Sequence, residues 1–222
     1  MREVRIDYTK LGDTKYISHL DLNRVFYRAV RRAEIPIWYT EGFNPHPHFR
    51  YFMPLPLGVE SKCESLDIRI TDDAFSNELI RERLNAVLPE GIKVVSVHEP
   101  ILKIKDIYCA VYDFTYTLDS AAETAERMES IIKSDFLPAI KKVKRGKKKV
   151  DEEINLLPNV ITYRLDVSEN RIMLRILCLS GQNNNLNPML FAKSLERDAD
   201  IDYESRNITK DCVLDENYKI FK

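Results

Sequence analysis

Three of the chain's four histidines, His19, His46 and His48, fall between Ser18 and Phe49, and their settings differ. His19 follows Ser18 in the run S-H-L-D-L and sits in the first turn of an expected helix. The positive end of the helix dipole disfavours a protonated imidazole there. A neutral His19 could act as a base or hydrogen-bond a neighbouring loop, and both readings stay open. His46 lies in Gly42-Phe43-Asn44-Pro45-His46-Pro47-His48. Two prolines fix φ and push Asn44 and His46 toward extended geometry, while Gly42 permits a turn closed to other residues. Such a stiff loop loses little entropy on meeting a ligand. His46 and His48, two apart in extended chain, point to opposite sides, which argues against one metal held from a single strand. His19 and His46 are therefore the candidate catalytic groups. Gly42, Phe43, Asn44, Pro45, His46 and Pro47 form the candidate recognition loop, and no metal site is expected.

The cationic side chains suggest a different chemistry. Arg24, Arg28, Arg31 and Arg32 stand at i, i+4, i+7 and i+8, a spacing that gathers their guanidinium groups on or near one helix face. Arginine's planar fork suits phosphate or carboxylate. Lys141-Lys142-Val143-Lys144-Arg145-Gly146-Lys147-Lys148-Lys149 is the densest charge in the chain, with Arg145-Gly146 placed to turn a hairpin. Single-sign charge at this density must be solvated or neutralised by an anion, of which nucleic-acid phosphate is the commonest. Lys141, Lys142, Lys144, Arg145, Lys147 and Lys148 join the four arginines as candidate nucleic-acid contacts. The plain alternative for both groups is a solvated surface balanced by nearby acids such as Asp151, Glu152 and Glu153.

Other chemistry is missing from the pattern. There is no G-x-x-x-x-G-K-S/T loop, no dinucleotide fingerprint and no G-x-S-x-G elbow. Cys63, Cys109, Cys178 and Cys212 are widely spread without a C-x-x-C, so an iron–sulfur cluster is not expected. The net charge of −1 means that any polyanion must be met by local clusters. With no long apolar run and a charged M-R-E-V-R start, a cytoplasmic protein with no cofactor and no membrane contact is expected.

The elements that would position these residues follow from periodicity. Val4, Ile6 and Tyr8 alternate with Arg5 and Asp7, predicting a half-buried strand. Ser18 caps a helix whose apolar stripe is Leu22, Val25, Phe26, Ala29, Val30 and Ala33, with Asp21 at the third position. Ile35 to Thr40 reads as a strand, and Leu66 to Ile70 as another. Ala74 to Leu88 reads as a helix and Ile92 to Val97 as the last strand of this half. The order is β-α-β-β-α-β, the ferredoxin-like split pattern, with Glu41 to Cys63 as a long insertion. Beyond Lys105 come a strand from Tyr108 to Leu118 and a helix from Ala121 to Lys133. A hairpin of Val160–Val167 and Arg171–Cys178 follows. Pro188 opens a helix to Glu196 behind a candidate Asn187 cap, and a strand falls between Arg206 and Leu214. The expected fold is α+β: two ferredoxin-like (βαββαβ) half-modules in tandem, spanning 1–104 and 105–222, with antiparallel sheets and helices on one face.

S-H-L-D-L, the following R-R-A, G-F-N-P-H-P and P-L-P-L-G-V-E-S fall in order between Ser18 and Ser61. Together they resemble the radical-SAM-linked protein family, small companions of a cobalamin-binding radical SAM protein. Asn23 stands where the family pattern has Met or a similar residue. The resemblance covers about the first hundred residues and implies a radical SAM protein encoded nearby as partner, without supplying a reaction. With the cationic clusters it gives the expected function: an RNA-binding companion in tRNA or rRNA modification or processing, without catalysis of its own. Two alternatives stand beside it. One is a metal-independent RNA-cleaving enzyme of the CRISPR RNA-processing kind, with His19 or His46 as base and Lys15 or Tyr16 nearby. The other is a pure protein-interaction module.

Overall fold

The structure is a computed structural model and describes residues 1–145, 148–181 and 184–221. The chain is mixed α+β and forms two compact units, Met1–Asp106 with the terminal residues from Ile220, and Ile107–Lys219.

In the first unit, β1 (Arg2–Lys10) leads through a 3-10 turn to α1 (His19–Arg32). A two-residue β2 (Arg50–Tyr51), β3 (Val59–Ile70), α2 (Asn77–Asn85) and β4 (Ile92–His98) follow. The strand order is β4-β1-β3-β2, and every neighbour is antiparallel. Val4, Ile6 and Tyr8 of β1 enter one core with Leu66, Ile68 and Ile70 of β3 and Ile92 and Val94 of β4. Both helices close over that face. Leu22, Phe26, Ala29 and Val30 come from α1, Ile80 and Leu84 from α2, and the Phe26 ring meets Tyr8 edge-on at 4.9 Å.

Four expectations for this unit are corrected. Ile35 to Thr40 is not a ladder strand, because Pro36 removes a donor and the chain leaves the sheet at Thr40. It meets β3 through the Ile37–Ile70 bridge, through Trp38 N to Arg69 O at 2.8 Å, and through the Arg69 guanidinium 5.7 Å from the Trp38 ring. The insertion is shorter than Glu41–Cys63, since β3 already starts at Val59, right after the proline-rich stretch. α2 occupies only Asn77–Asn85, opened by Ser76, whose hydroxyl accepts from Leu79 N at 3.0 Å. Lastly, β1 is not half-buried at Arg5, which is 1% exposed. Arg5 grips Asp67 through Nε at 2.8 Å and Nη2 at 3.1 Å, donates to Leu102 O, and lies against the rings of Phe52 and Phe221.

The second unit contains β5 (Cys109–Thr117), α3 (Ala121–Lys133), β6 (Pro138–Arg145) and β7 (Lys148–Asn155). β8 (Val160–Ser168), β9 (Arg171–Leu179), α4 (Pro188–Asp198) and β10 (Ser205–Leu214) complete it. Its strand order is β10-β5-β9-β8, again antiparallel throughout. Asn187 caps α4, its carboxamide oxygen accepting from Met189 N at 3.0 Å and Leu190 N at 3.2 Å. Phe114 packs on Phe191 at 5.4 Å, and Ile172, Leu174 and Ile176 alternate inward along β9. Among the described residues β6 and β7 pair with each other, as a hairpin separate from that sheet.

Candidate functional site

The route into α1 is built from a glycine. Gly91 has φ +89°, and a Cβ there would lie 2.5 Å from Leu11 O and 2.7 Å from the Thr14 methyl. Without one, Leu11 N reaches Gly91 O at 2.8 Å and the turn before α1 closes tightly. Ser18 then caps the helix: its hydroxyl accepts from Asp21 N at 3.1 Å and donates to the Asp21 carboxylate at 2.7 Å. That bond, and then Arg24, hold the Asp21 carboxyl below its ordinary range. His19 is the first helical residue, exposed, with its ring edge-on to Tyr51 at 4.9 Å.

Beneath His19 lies a small cleft lined also by Tyr8, Lys10, Leu22, Tyr51, Met53 and Glu64. Its interior has room for about one water. Lys10 is 2% exposed and donates to Ile17 O at 2.9 Å, so its ammonium anchors the chain just before Ser18. Burial pushes the Lys10 pKa down, and Glu64 pulls against it. Burial likewise raises the Tyr51 phenol, whose buried hydroxyl meets no hydrogen-bond partner among the described residues. Such a cleft favours neutral groups and can hold a proton donor and acceptor apart from bulk water. Sequence reasoning missed it, although one signal was present. Lys10 continues the inward series Val4, Ile6, Tyr8, and Glu64 stands opposite Tyr8 in register.

The proline loop has its own internal order. Thr40 N donates to His46 O at 2.9 Å, and His46 N donates to Thr40 Oγ1 at 3.2 Å. His46 Nδ1 lies 3.1 Å from both Thr40 Oγ1 and Asn44 O, and Tyr39 bridges Pro47. His46 is thus held by its own turn, while Phe43 stands fully exposed. His48 lies elsewhere, its ring 6.2 Å from Trp38. Gly42 adopts φ +130° with open space around it. Neither His46 nor His48 lines the cleft that holds His19.

Arg24, Arg28, Arg31 and Arg32 are all exposed on α1, so one helix brings them together. Arg24 is neutralised by Asp21 at 2.8 Å, and the Arg31 guanidinium sits 5.8 Å from the Tyr27 ring. Among the described residues Arg28, Arg31 and Arg32 form no ion pair, and no hydrogen bond links this face to the loop. The lysine-rich segment is the β6–β7 hairpin. Its neck is fixed: Leu137 N donates to Asn155 Oδ1 at 2.9 Å, and Arg197 donates to Pro138 O at 2.8 Å. Along its length the charges separate. Lys141 stands opposite Glu152 and Lys142 opposite Asp151, whereas Lys144 stands opposite Lys149 and Arg145 opposite Lys148. Lys141, Lys142 and Lys149 are exposed. Lys147 and the side chains of Lys144, Arg145 and Lys148 lie outside the described residues.

Among the described residues no group of His, Cys, Asp and Glu could hold a metal ion, and no helix is long and apolar enough to cross a membrane. No curated protein matches the chain. The crystal structure of an unknown protein from Galdieria sulphuraria is similar at 8% identity and a TM-score of 0.27, over 94% of this chain and 98% of that one; so low a score carries no argument. The model of a bacterial family described as "Uncharacterized protein conserved in bacteria (DUF2344)" matches residues 3–188, and the chain belongs to that family.

Proposed function

We propose that the protein is an RNA-binding companion of a radical SAM enzyme, acting in RNA modification or processing. One observation carries the RNA part: the β6–β7 register sets like charges against each other at the tip while the base of the hairpin is balanced by acids. Like charges directly across a strand pair are destabilising, so the tip gains when an external polyanion lies between them. The exposed Arg28, Arg31 and Arg32 offer further phosphate-suited forks. The radical SAM part rests on the motifs between Ser18 and Ser61 alone. The βαββαβ order of each unit, with the hairpin as an addition to the second, supports two ferredoxin-like modules in tandem. Similar sheets serve RNA-binding modules, although fold does not give function by itself.

A second reading, RNA cleavage without metal, is favoured by one feature: His19 beside the Tyr51 hydroxyl, which has no hydrogen-bond partner among the described residues, over a small cleft. Of its other named residues, Lys15 lies 3.8 Å from Glu60. One experiment separates the readings. The purified protein is incubated with cellular RNA in EDTA and assayed for retention and for fragmentation. Salt-sensitive retention of intact RNA supports the companion role, and cleavage supports the enzyme. The absence of both removes both and leaves a protein-interaction module. Capture of the neighbouring radical SAM protein, with and without nuclease, tests the partner.

A further inference from the structure

We propose that β8 is a self-association edge, on which a second copy of this chain adds its own β8, antiparallel, about a twofold axis at Leu165. Among the described residues β8 ends the sheet of the second unit, with β9 as its one strand neighbour. The far edge of such a strand presents backbone donors and acceptors that form a template for another strand. The usual protections are missing. β8 runs for nine residues, and between Val160 and Ser168 there is neither proline nor lysine. Its one register shift lies at the start, between Val160 and Thr162, and leaves Thr162–Ser168 regular.

The run Thr162-Tyr163-Arg164-Leu165-Asp166-Val167-Ser168 is complementary to its own reverse. Antiparallel pairing about Leu165 sets Arg164 against Asp166 of the second copy, and Asp166 against Arg164 of the second copy. Tyr163 then meets Val167, and Thr162 meets Ser168. Opposite charges, an aromatic ring with a β-branched side chain, and a Thr–Ser pair are all favourable across strands. Moving the axis by one residue sets Arg164 on Arg164 or Asp166 on Asp166, so charge selects this register.

The single chain leaves these groups open to a partner. Val167 stands across from the buried Ile172 of β9, yet is itself 47% exposed. Arg164 and Asp166 lie on the other face, 75% and 48% exposed, and hold each other at 2.8 Å. Arg164 also stands across from Arg175, and Asp166 across from Met173. Arg175 has acids of its own in Asp113 and Asp211, whereas Asp166 is the one acid on Arg164 among the described residues. The interface is isologous, so each favourable charge pair occurs twice. It is also small, and a dissociation constant of about 10 µM is expected.

Sedimentation equilibrium of the full chain from about 1 to 100 µM should show the mass doubling across this range. Arg164→Asp and Asp166→Arg each place like charges across the axis, and each should weaken association at least about tenfold. An equimolar mixture of the two variants pairs an acidic strand with a basic one, and should dimerise like the parent. Circular dichroism checks that the variants are folded. Hydrogen exchange of the unaltered chain is a second readout, since amide protection in 162–168 should rise with concentration. A parent that stays monomeric at 100 µM overturns the proposal. So does a dimer that persists in both folded variants, a mixture that fails to associate, or protection of 162–168 that does not change with concentration.

Discussion

Lys144 stands directly across from Lys149 in the β6–β7 register, three residue pairs beyond the Lys141–Glu152 match. A strand pair built for stability would alternate opposite charges, as the neck half does. The pairing changes from balanced to unbalanced within one hairpin.

Phe26→Ala is expected to behave as a core lesion. The ring is fully buried, edge-on to Tyr8 at 4.9 Å and 6.2 Å from Tyr51. The loss in unfolding free energy should be about 3–5 kcal/mol. A denaturant midpoint consistent with under about 1 kcal/mol would show that α1 does not pack as described.

Asp67→Ala should be as damaging for a different reason. Arg5 and Asp67 are 1% and 3% exposed, and removal of the carboxylate strands a guanidinium in the interior. The expected loss is about 3–5 kcal/mol, while replacing both residues with leucine should be milder than Asp67→Ala alone. Equal damage from the single and double replacements would mean that the clamp matters for packing and not for charge.

Much of the fold was legible because its signals are local. The Ser18 and Asn187 caps, the Phe26 stripe and the alternation along β1 and β9 are written within a few residues of where they act. Ile35–Thr40 misled because its β-branched and aromatic residues suit a strand while Pro36 breaks the ladder. The buried state of Arg5 was hidden because Asp67, Phe52 and Phe221 reach it from distant parts of the sequence. The cleft was half legible. Lys10 is in phase with the core, but Tyr51 and His19 meet there only through the fold.

Gly91→Ala tests how α1 is set in place. The added methyl meets Leu11 O and Thr14, at a φ that side-chain-bearing residues avoid. A loss of at least about 1–3 kcal/mol is expected from the backbone strain alone. An unchanged melting temperature would show that the Leu11–Gly91 closure is dispensable.

Alkaline pH should destabilise the protein through its buried thiols. Burial, then Cys109, pushes the Cys178 thiol up to about 12, and burial, then Cys212 and Asp215, pushes Cys109 up to about 11, from an ordinary 9.0. Both pKa values are raised by folding, so their contribution is complete below pH 9.0 and is lost as pH climbs toward these higher values. Each thiol adds up to about 1.4 kcal/mol per pH unit within its window. Lys10, lowered from 10.5, acts in the opposite sense below that pH, which makes the variant comparison decisive. Unfolding free energy should fall less steeply above pH 9 in Cys178→Ala than in the parent. An identical slope would place the thiol in contact with solvent.

The most direct measurement is the salt dependence of RNA affinity. The parent is compared with Lys144→Ala/Lys149→Ala and with Lys141→Ala/Lys142→Ala, whose lysines already face acids. Each lost phosphate contact lowers the slope of log affinity against log salt by about 0.7–0.9. The tip variant should lose about one to two such units with its melting temperature nearly unchanged, and the neck variant should lose less. A folded tip variant with the parent's slope, or a neck variant that loses more, would contradict the assignment of the hairpin tip as the RNA-binding element.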